Sequence, residues 1–434
     1  MHNHFLQKTV YNGIVLPAAY GALYGASLFH RKLKETFATR RNIRSRWRTS
    51  GVCFDERPVW FHVSSVGEYE QAKPVISKLR ENFPEVPVAL TFTSPSGFKY
   101  ASKKERLGDG NNIKFMEYLP IDFTRNVRFC LAFLNPRLLV FVKFDLWPNL
   151  VWETASMGIP SLLIDATLSE SSYRFRLGRP FYRAVYADLK RILAISERDA
   201  ARFNLCVPEH SGIQVTGDTR FDRVMERKRL TIRPSLELDK EGRFVVIAGS
   251  TWPKDEIHLL PALSRLFERV SGLLLIIAPH EPSEERVGGL LQWARAQGLE
   301  AARLSMHQSL AQHNHRQQVL IVDSVGVLAE TYQYADVAYI GGSFSTGVHS
   351  VIEPAIMGIP VLFGPHHKNS FEALELLRHR SSFEVGDCEA IYDGLASLHA
   401  NRDLRMSMGD RAKVYVESQL GATDRCMENL AEYI

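Results

Sequence analysis

From residue 59 the chain alternates two kinds of hydrophobic pattern. VWFHV (59–63), PVALTFT (87–93), LLVFVKF (138–144), PSLLID (160–165), RILAIS (191–196) and IQVTG (213–217) are short apolar runs. Between most of them the apolar positions recur at three and four, as in Ala72, Val75, Ile76 and Leu79. The first pattern predicts buried strands and the second amphipathic helices. Such alternation predicts a parallel sheet with helices on both faces. Residues 224–243 turn charged and lose the period, which predicts a linker. The alternation then restarts at FVVIAGS (244–250), LLLIIAP (273–279), VLIVDS (319–324), VAYIGG (337–342) and VLFG (361–364). The expected fold class is therefore α/β, with two Rossmann-like doubly wound domains at 49–223 and 244–434, the second ending in a helix. They are expected to face each other across a cleft lined by the carboxyl ends of both sheets, where ligands bind.

The first 48 residues follow a different rule. Residues 9–29, TVYNGIVLPAAYGALYGASLF, carry no charge, and eight Lys or Arg with one Glu follow between 31 and 48. A signal peptide has the opposite order. About twenty apolar residues can span a bilayer, although Pro17 and the nearby glycines make this a modest span. The expectation is an N-terminal membrane-associated helix, spanning or lying in the interface. Its basic segment would sit on the cytoplasmic face of the inner membrane, near anionic lipid. The alternative is a buried first helix of the soluble domain.

A length of 434 residues fits two or three domains. A net charge of +5 spread over that length, with no basic run interleaved with aromatics, gives no argument for nucleic acid. Five cysteines without a CxxC pair fit a reduced protein lacking disulfides and structural zinc.

Candidate chemistry gathers at strand ends. In SSVGE, Ser64 and Ser65 can cap the following helix, Gly67 lets the chain turn, and Glu68 stands in the first helical turn. A helix N-terminus favours a carboxylate by itself, so Glu68 needs a further argument to be more than a cap. YLPIDF (118–123) and FVKFDLWPN (141–149) also end apolar runs with polar residues, and Lys143 and Asp145 are placed to pair with each other. The densest signal runs from Tyr339 to Pro365: Gly341-Gly342-Ser343, then Ser350 opening a helix that bears Glu353-Pro354-Ala355, then Gly364-Pro365. Glycines let backbone approach a ligand, helix N–H groups suit a phosphate, and Glu353 could hold two ribose hydroxyls. Three more polar strand ends lie in the same half. Ser250 and Thr251 open one, with Glu256 completing a capping pattern; His280 lies at the second, and Asp323 beside Gly326 at the third. Together they predict a nucleotide pocket.

With these residues assembled, the chain resembles the 3-deoxy-D-manno-octulosonic acid (Kdo) transferases of lipopolysaccharide synthesis. HVSSVGE, YLPID, SERDAARF (196–203), VTGDTRFD (215–222), GST (249–251), DSVGVL (323–328), GGS (341–343) and EPA (353–355) fall in the family's order. The resemblance implies the glycosyltransferase-B fold, CMP-Kdo as donor substrate without a separate cofactor, and a lipid A precursor (lipid IVA) as acceptor. It also implies an inverting reaction, with Glu68 as base for the acceptor hydroxyl and Asp145 orienting the acceptor or assisting. Ser250, Thr251, His280, Gly341, Gly342, Ser343, Ser350 and Glu353 become the expected contacts of the CMP-sugar. No Asp-x-Asp motif occurs, so no metal is expected. The chain departs from many members at four places: Lys143 stands for a glutamate, Ala278-Pro279-His280 for P-R-H, Ser350 for an asparagine and Trp252 for a histidine. Two rivals remain at this point, a UDP-sugar enzyme of the same fold and a non-catalytic membrane-associated homologue.

Overall fold

The computed structural model describes residues 4–105, 112–210, 212–230, 240, 242–306 and 317–434. The chain divides into two compact units, Met1–Arg223 with Leu420–Ile434, and Val224–Gln419. Seven strands form the first sheet: β1 Val59–Val63, β2 Val88–Phe92, β3 Ile113–Tyr118, β4 Leu138–Val142, β5 Ser161–Ala166, β6 Arg191–Ala194 and β7 Ile213–Val215. The second sheet holds β8 Phe244–Thr251, β9 Leu273–Pro279, β10 Ala301–Arg303, β11 Val319–Ile321, β12 Val337–Ile340, β13 Val361–Phe363 and β14 Ser382–Glu384. Their orders are β3-β2-β1-β4-β5-β6-β7 and β10-β11-β9-β8-β12-β13-β14. Neighbouring strands pair in parallel throughout, as with Phe61 opposite Leu90 and Val140.

The expected strands are all present, because β1, β2, β4 and β9 are buried along their whole length under helices on both faces. Three further strands lie at or next to sheet edges. β3 alternates buried and exposed positions, and β10 and β14 have three residues each. Too little apolar sequence marks them. In each unit the connections run outward from the first strand and then cross back over it. The switch points are therefore β1/β4 and β8/β12, where α/β sheets open a crevice at their carboxyl ends.

Two boundaries differ from expectation. Helix Thr219–Leu230 occupies the beginning of the expected linker, the remainder of which lies largely outside the described residues. The last helix, Ala422–Ala431, belongs to the first unit rather than to the second domain. Its Cys426, Met427 and Leu430 join the first core. The Asp222 carboxylate accepts from Gly421 N–H at 2.8 Å and Thr423 N–H at 2.6 Å, fixing its start.

The first segment is helical over Phe5–Val10, Tyr11–Val15 and Leu16–Ser27, the middle stretch being a π-turn. Pro17 has no N–H to donate back into the preceding turn, and a wider turn is a usual accommodation. The π-turn brings Tyr11 and Asn12 onto the first unit. Tyr11 Oη donates to Asp122 Oδ2 at 3.0 Å, and the Asn12 and Asn149 amides exchange bonds of 2.9 and 2.8 Å. Much of the rest is open to solvent, including Phe5 (74 % exposed), Leu6, Ile14, Leu28 and Phe29 (86 %). Among the described residues no helix is long and apolar enough to cross a membrane. The basic segment packs onto the first unit. Trp47 is fully buried against Phe115 and Phe133, and Arg40, Arg44 and Arg46 bond Leu119 O, Asn126 and Glu117.

Candidate active site

At the first switch point, helix Val66–Asn82 begins directly after β1. Ser65 is its N-cap: the hydroxyl accepts from Gly67 N–H at 3.2 Å and donates to Glu68 Oε2. Glu68 thus sits buried in the first turn, tied to its own cap, so the capping role foreseen for it is present. Ser64 does not cap. Its hydroxyl is buried and has no hydrogen-bond partner among the described residues, an uncommon state for a buried polar group.

A buried polar chain runs beneath this turn. Trp60 Nε1 donates to Thr91 Oγ1 at 2.8 Å, which meets His62 Nδ1 at 2.9 Å. On the other side His62 Nε2 lies 3.3 Å from Thr93 Oγ1 and 3.8 Å from Asp145 Oδ2. Asp145 also accepts from Trp147 Nε1 at 3.2 Å. The expected Lys143–Asp145 pair does not form. Lys143 has φ +69°, and its ammonium lies 5.3 Å from the Phe144 ring centre. Glu68 and Asp145 therefore follow adjacent strands, β1 and β4, at one sheet edge. Asp122 and Asn149, in the other two polar strand ends of this half, are 1 and 2 % exposed and hold the N-terminal helix instead.

At the second switch point the organising group is Asp255, which the sequence reading passed over. It is fully buried. Its carboxylate accepts from Trp252 N–H (2.9 Å), Gly342 N–H (2.8 Å), Phe344 N–H (3.1 Å) and Tyr339 Oη (3.3 Å). The capping pattern expected of Glu256 is thus made by Asp255. Glu256 instead accepts from Thr251 Oγ1 at 2.8 Å and from Arg286 at 2.5 Å, and burial raises its pKa. Thr251 is 1 % exposed, and Ser343 is fully buried with its hydroxyl accepting from Gly364 N–H at 2.7 Å. Gly341 and Gly342 are required by close approach: a Cβ on either would overlap backbone oxygen, of Ser250 and Gly347 respectively. Their N–H groups bond Gly249 O and Asp255. Ser250 is left-handed at φ +55° in a register shift of β8 against β9, and its half-buried side chain stands outside these bonds.

Helix Ile352–Ile356 has only five residues. It is capped by Val351, so Ser350 lies exposed before its start rather than opening it. Glu353 is half-buried near Tyr332, whose hydroxyl is kept protonated by burial and then by the nearby Glu353 carboxylate. The departing residue Trp252 comes together with His280 and His349. Trp252 Nε1 donates to His349 Nε2 at 2.9 Å, and His280 stacks on His349 at 4.2 Å and on Trp252 at 4.8 Å. Burial, and then the neighbouring His280, push the His349 pKa down to about 4, so a neutral ring accepts the indole proton. Asp323 accepts from Ser305 N–H and Oγ at 3.2 and 2.6 Å.

The chain is 29 % identical to a 3-deoxy-D-manno-octulosonic acid transferase of Bordetella pertussis, over 87 % of both chains. It is 28 % identical to that of Chlamydia pneumoniae, over 87 % of this chain and 85 % of the relative. Residues 31–223 match the family model described as 3-deoxy-D-manno-octulosonic-acid transferase. By both comparisons the chain is similar to the Kdo transferases. UDP-GlcNAc 2-epimerase from Neisseria meningitidis, solved with UDP-GlcNAc, is 14 % identical. It covers 86 % of this chain and all of its own, with a TM-score of 0.61. At that identity it bears on the fold, which is that of glycosyltransferase-B enzymes. Within this chain, sequence reasoning missed His62, Asp255 and His349. The histidine inside the apolar run VWFHV was the one visible signal.

Proposed function

We propose that the protein transfers Kdo from CMP-Kdo to a lipid A precursor, lipid IVA, in lipopolysaccharide synthesis. The reading rests on one observation above others. The similarity to Kdo transferases runs across 87 % of the chain, and this chain carries polar groups at both switch points. In this account the CMP-sugar lies along the second sheet. Ser250, His280 and Ser350 offer side chains to it, Gly341 and Gly342 let it approach, and Glu353 holds its ribose. Thr251 and Ser343 act from beneath, through Glu256 and Gly364. The acceptor lies along the first sheet. Glu68 leaves Ser65 to take the proton of the acceptor hydroxyl as that oxygen attacks the anomeric carbon and CMP departs from the opposite face. One displacement inverts the centre, and a positioned base contributes about 10²–10⁴-fold. Asp145, buttressed by His62 and Trp147, orients the acceptor. The Ser64 hydroxyl, unpartnered beside Glu68, is a further contact for it.

The site of action is proposed to be the cytoplasmic face of the inner membrane. Phe5, Leu6, Ile14, Leu28 and Phe29 are exposed in or beside the uncharged stretch 9–29, and basic residues follow at once. That combination suits insertion into the interface of an anionic bilayer. Nucleotide-dependent melting tests the donor assignment. A ligand that binds only the folded state stabilises it by about 2.7 kcal/mol at a hundredfold excess over Kd. CMP should raise the melting temperature while UDP does not; stabilisation by UDP alone would transfer the protein to the UDP-sugar enzymes of this fold.

A further inference from the structure

Past the end of β4, one aromatic ring carries two cations. Lys143 is held in its left-handed conformation from both sides: its N–H donates to Ile164 O at 2.8 Å, and its carbonyl accepts from Thr167 N–H at 3.1 Å. Asp165, at the end of neighbouring β5, is left-handed too, with φ +49°. Such backbone persists where the surroundings enforce it, and it clusters at functional sites. The Lys143 ammonium lies 5.3 Å from the centre of the Phe144 ring, and the Arg174 guanidinium lies 5.1 Å from the same centre and 5.6 Å from that of Tyr182. Among the described residues neither cation has an ion pair. The buried Arg174 Nε has no hydrogen-bond partner. Nearby acids are engaged elsewhere: Glu170 with Arg202 at 2.9 Å, Asp145 with Trp147 and His62.

The loop that carries Arg174 is a compact turn. Gly178 N–H donates to Tyr173 O at 2.8 Å, and the Tyr173 ring packs on Gly178 where a Cβ would crowd it. The turn presents Tyr173 (66 % exposed) and Leu177 (81 %) to solvent beside the cations. A guanidinium fork next to an ammonium point charge suits a multiply charged oxyanion. Exposed apolar side chains at its border suit a molecule with hydrocarbon attached to that anion.

We propose that Lys143, Phe144 and Arg174 form a subsite for a phosphate group of the acceptor glycolipid, with Tyr173 and Leu177 meeting its acyl part; this rests on the acceptor reading given above. The test uses the full-length protein, Arg174→Gln and Lys143→Glu, with a tetraacylated lipid A precursor and the same lipid after enzymatic removal of its phosphates. Binding to each lipid in detergent micelles is measured without CMP-Kdo, and KM is measured with it. Loss of a charge-assisted contact should weaken binding of the phosphorylated lipid about tenfold or more and leave the dephosphorylated lipid unaffected. Equal weakening of both lipids would assign these residues to packing and overturn the subsite. Equal binding of both lipids by the wild type would overturn it as well. A wild type that prefers the phosphorylated lipid but transfers no Kdo would keep the subsite and remove the transferase reading. Vesicles of phosphatidylglycerol give the last arm: variants that lose vesicle binding but keep the lipid preference would place the site against bulk membrane instead. If Arg174→Gln melts early, Lys143→Met, at a half-buried position, carries the same comparison.

Discussion

Asp122→Asn should flatten part of the pH dependence of stability. Asp122 is buried, and desolvation is the largest influence on it. Its bonds from Asn149 N–H, Tyr11 Oη and Leu150 N–H oppose that influence but leave the pKa raised from 3.8 to about 7. A carboxyl whose pKa is higher in the folded state binds its proton more tightly there. Its contribution is therefore full below the unfolded pKa near 4 and is lost as pH rises toward 7. With one pKa unit worth 1.36 kcal/mol, the whole shift corresponds to about 4 kcal/mol, of which about 2 kcal/mol falls between pH 5 and pH 7. Asparagine does not titrate. It also places an NH2 where donors converge, so the variant should be less stable than wild type at pH 5. The gap should narrow by about 2 kcal/mol by pH 7. Asp165, also raised by burial, is common to both proteins and cancels in the difference. Urea titrations at half-unit steps from pH 5 to pH 8 measure the gap. A constant gap would refute the reasoning and place a carboxylate, ionised throughout, under the N-terminal helix.

Glu68→Gln should keep the fold and CMP binding while transfer falls by about 10²–10⁴; near-normal turnover would return Glu68 to its capping role with Ser65. Glu353→Ala should weaken CMP binding by about 1.5–3 kcal/mol, the usual cost of losing a charged hydrogen-bond partner, and an unchanged Kd by calorimetry would contradict the ribose assignment. Replacing Phe5, Leu6, Ile14, Leu28 and Phe29 together by serine should release the protein from sedimented membranes without altering its melting temperature. The released fraction should grow with salt, as the basic residues are screened. Unchanged sedimentation at every salt concentration would remove these side chains from membrane binding.

What the sequence could reveal divides along physical lines. The central strands are legible because a parallel sheet buries both faces and leaves an unbroken apolar run, as in LLVFV of β4. Edge strands such as β10 carry no such run. Glu68, Ser250 and the GGS turn are legible because they end strands at the switch points. The work of Asp122 and Asn149 was not, since their partners Tyr11 and Asn12 lie 111 and 137 residues away. No local pattern reports that distance. Asp255 escaped notice because an acid in a first helical turn is ordinarily a cap; only the fold brings Gly342 and Phe344 to its other side. The last helix was assigned by adjacency in sequence, whereas its buried Cys426 and Leu430 face the first core.

The central claim is the reaction itself. Mass spectrometry of the purified protein incubated with CMP-Kdo and a tetraacylated lipid A precursor tests it most directly. The account predicts lipid gaining the mass of one or more Kdo residues, with CMP released in equal number and no product in Glu68→Gln. Unmodified lipid in the presence of folded, CMP-binding protein would contradict it.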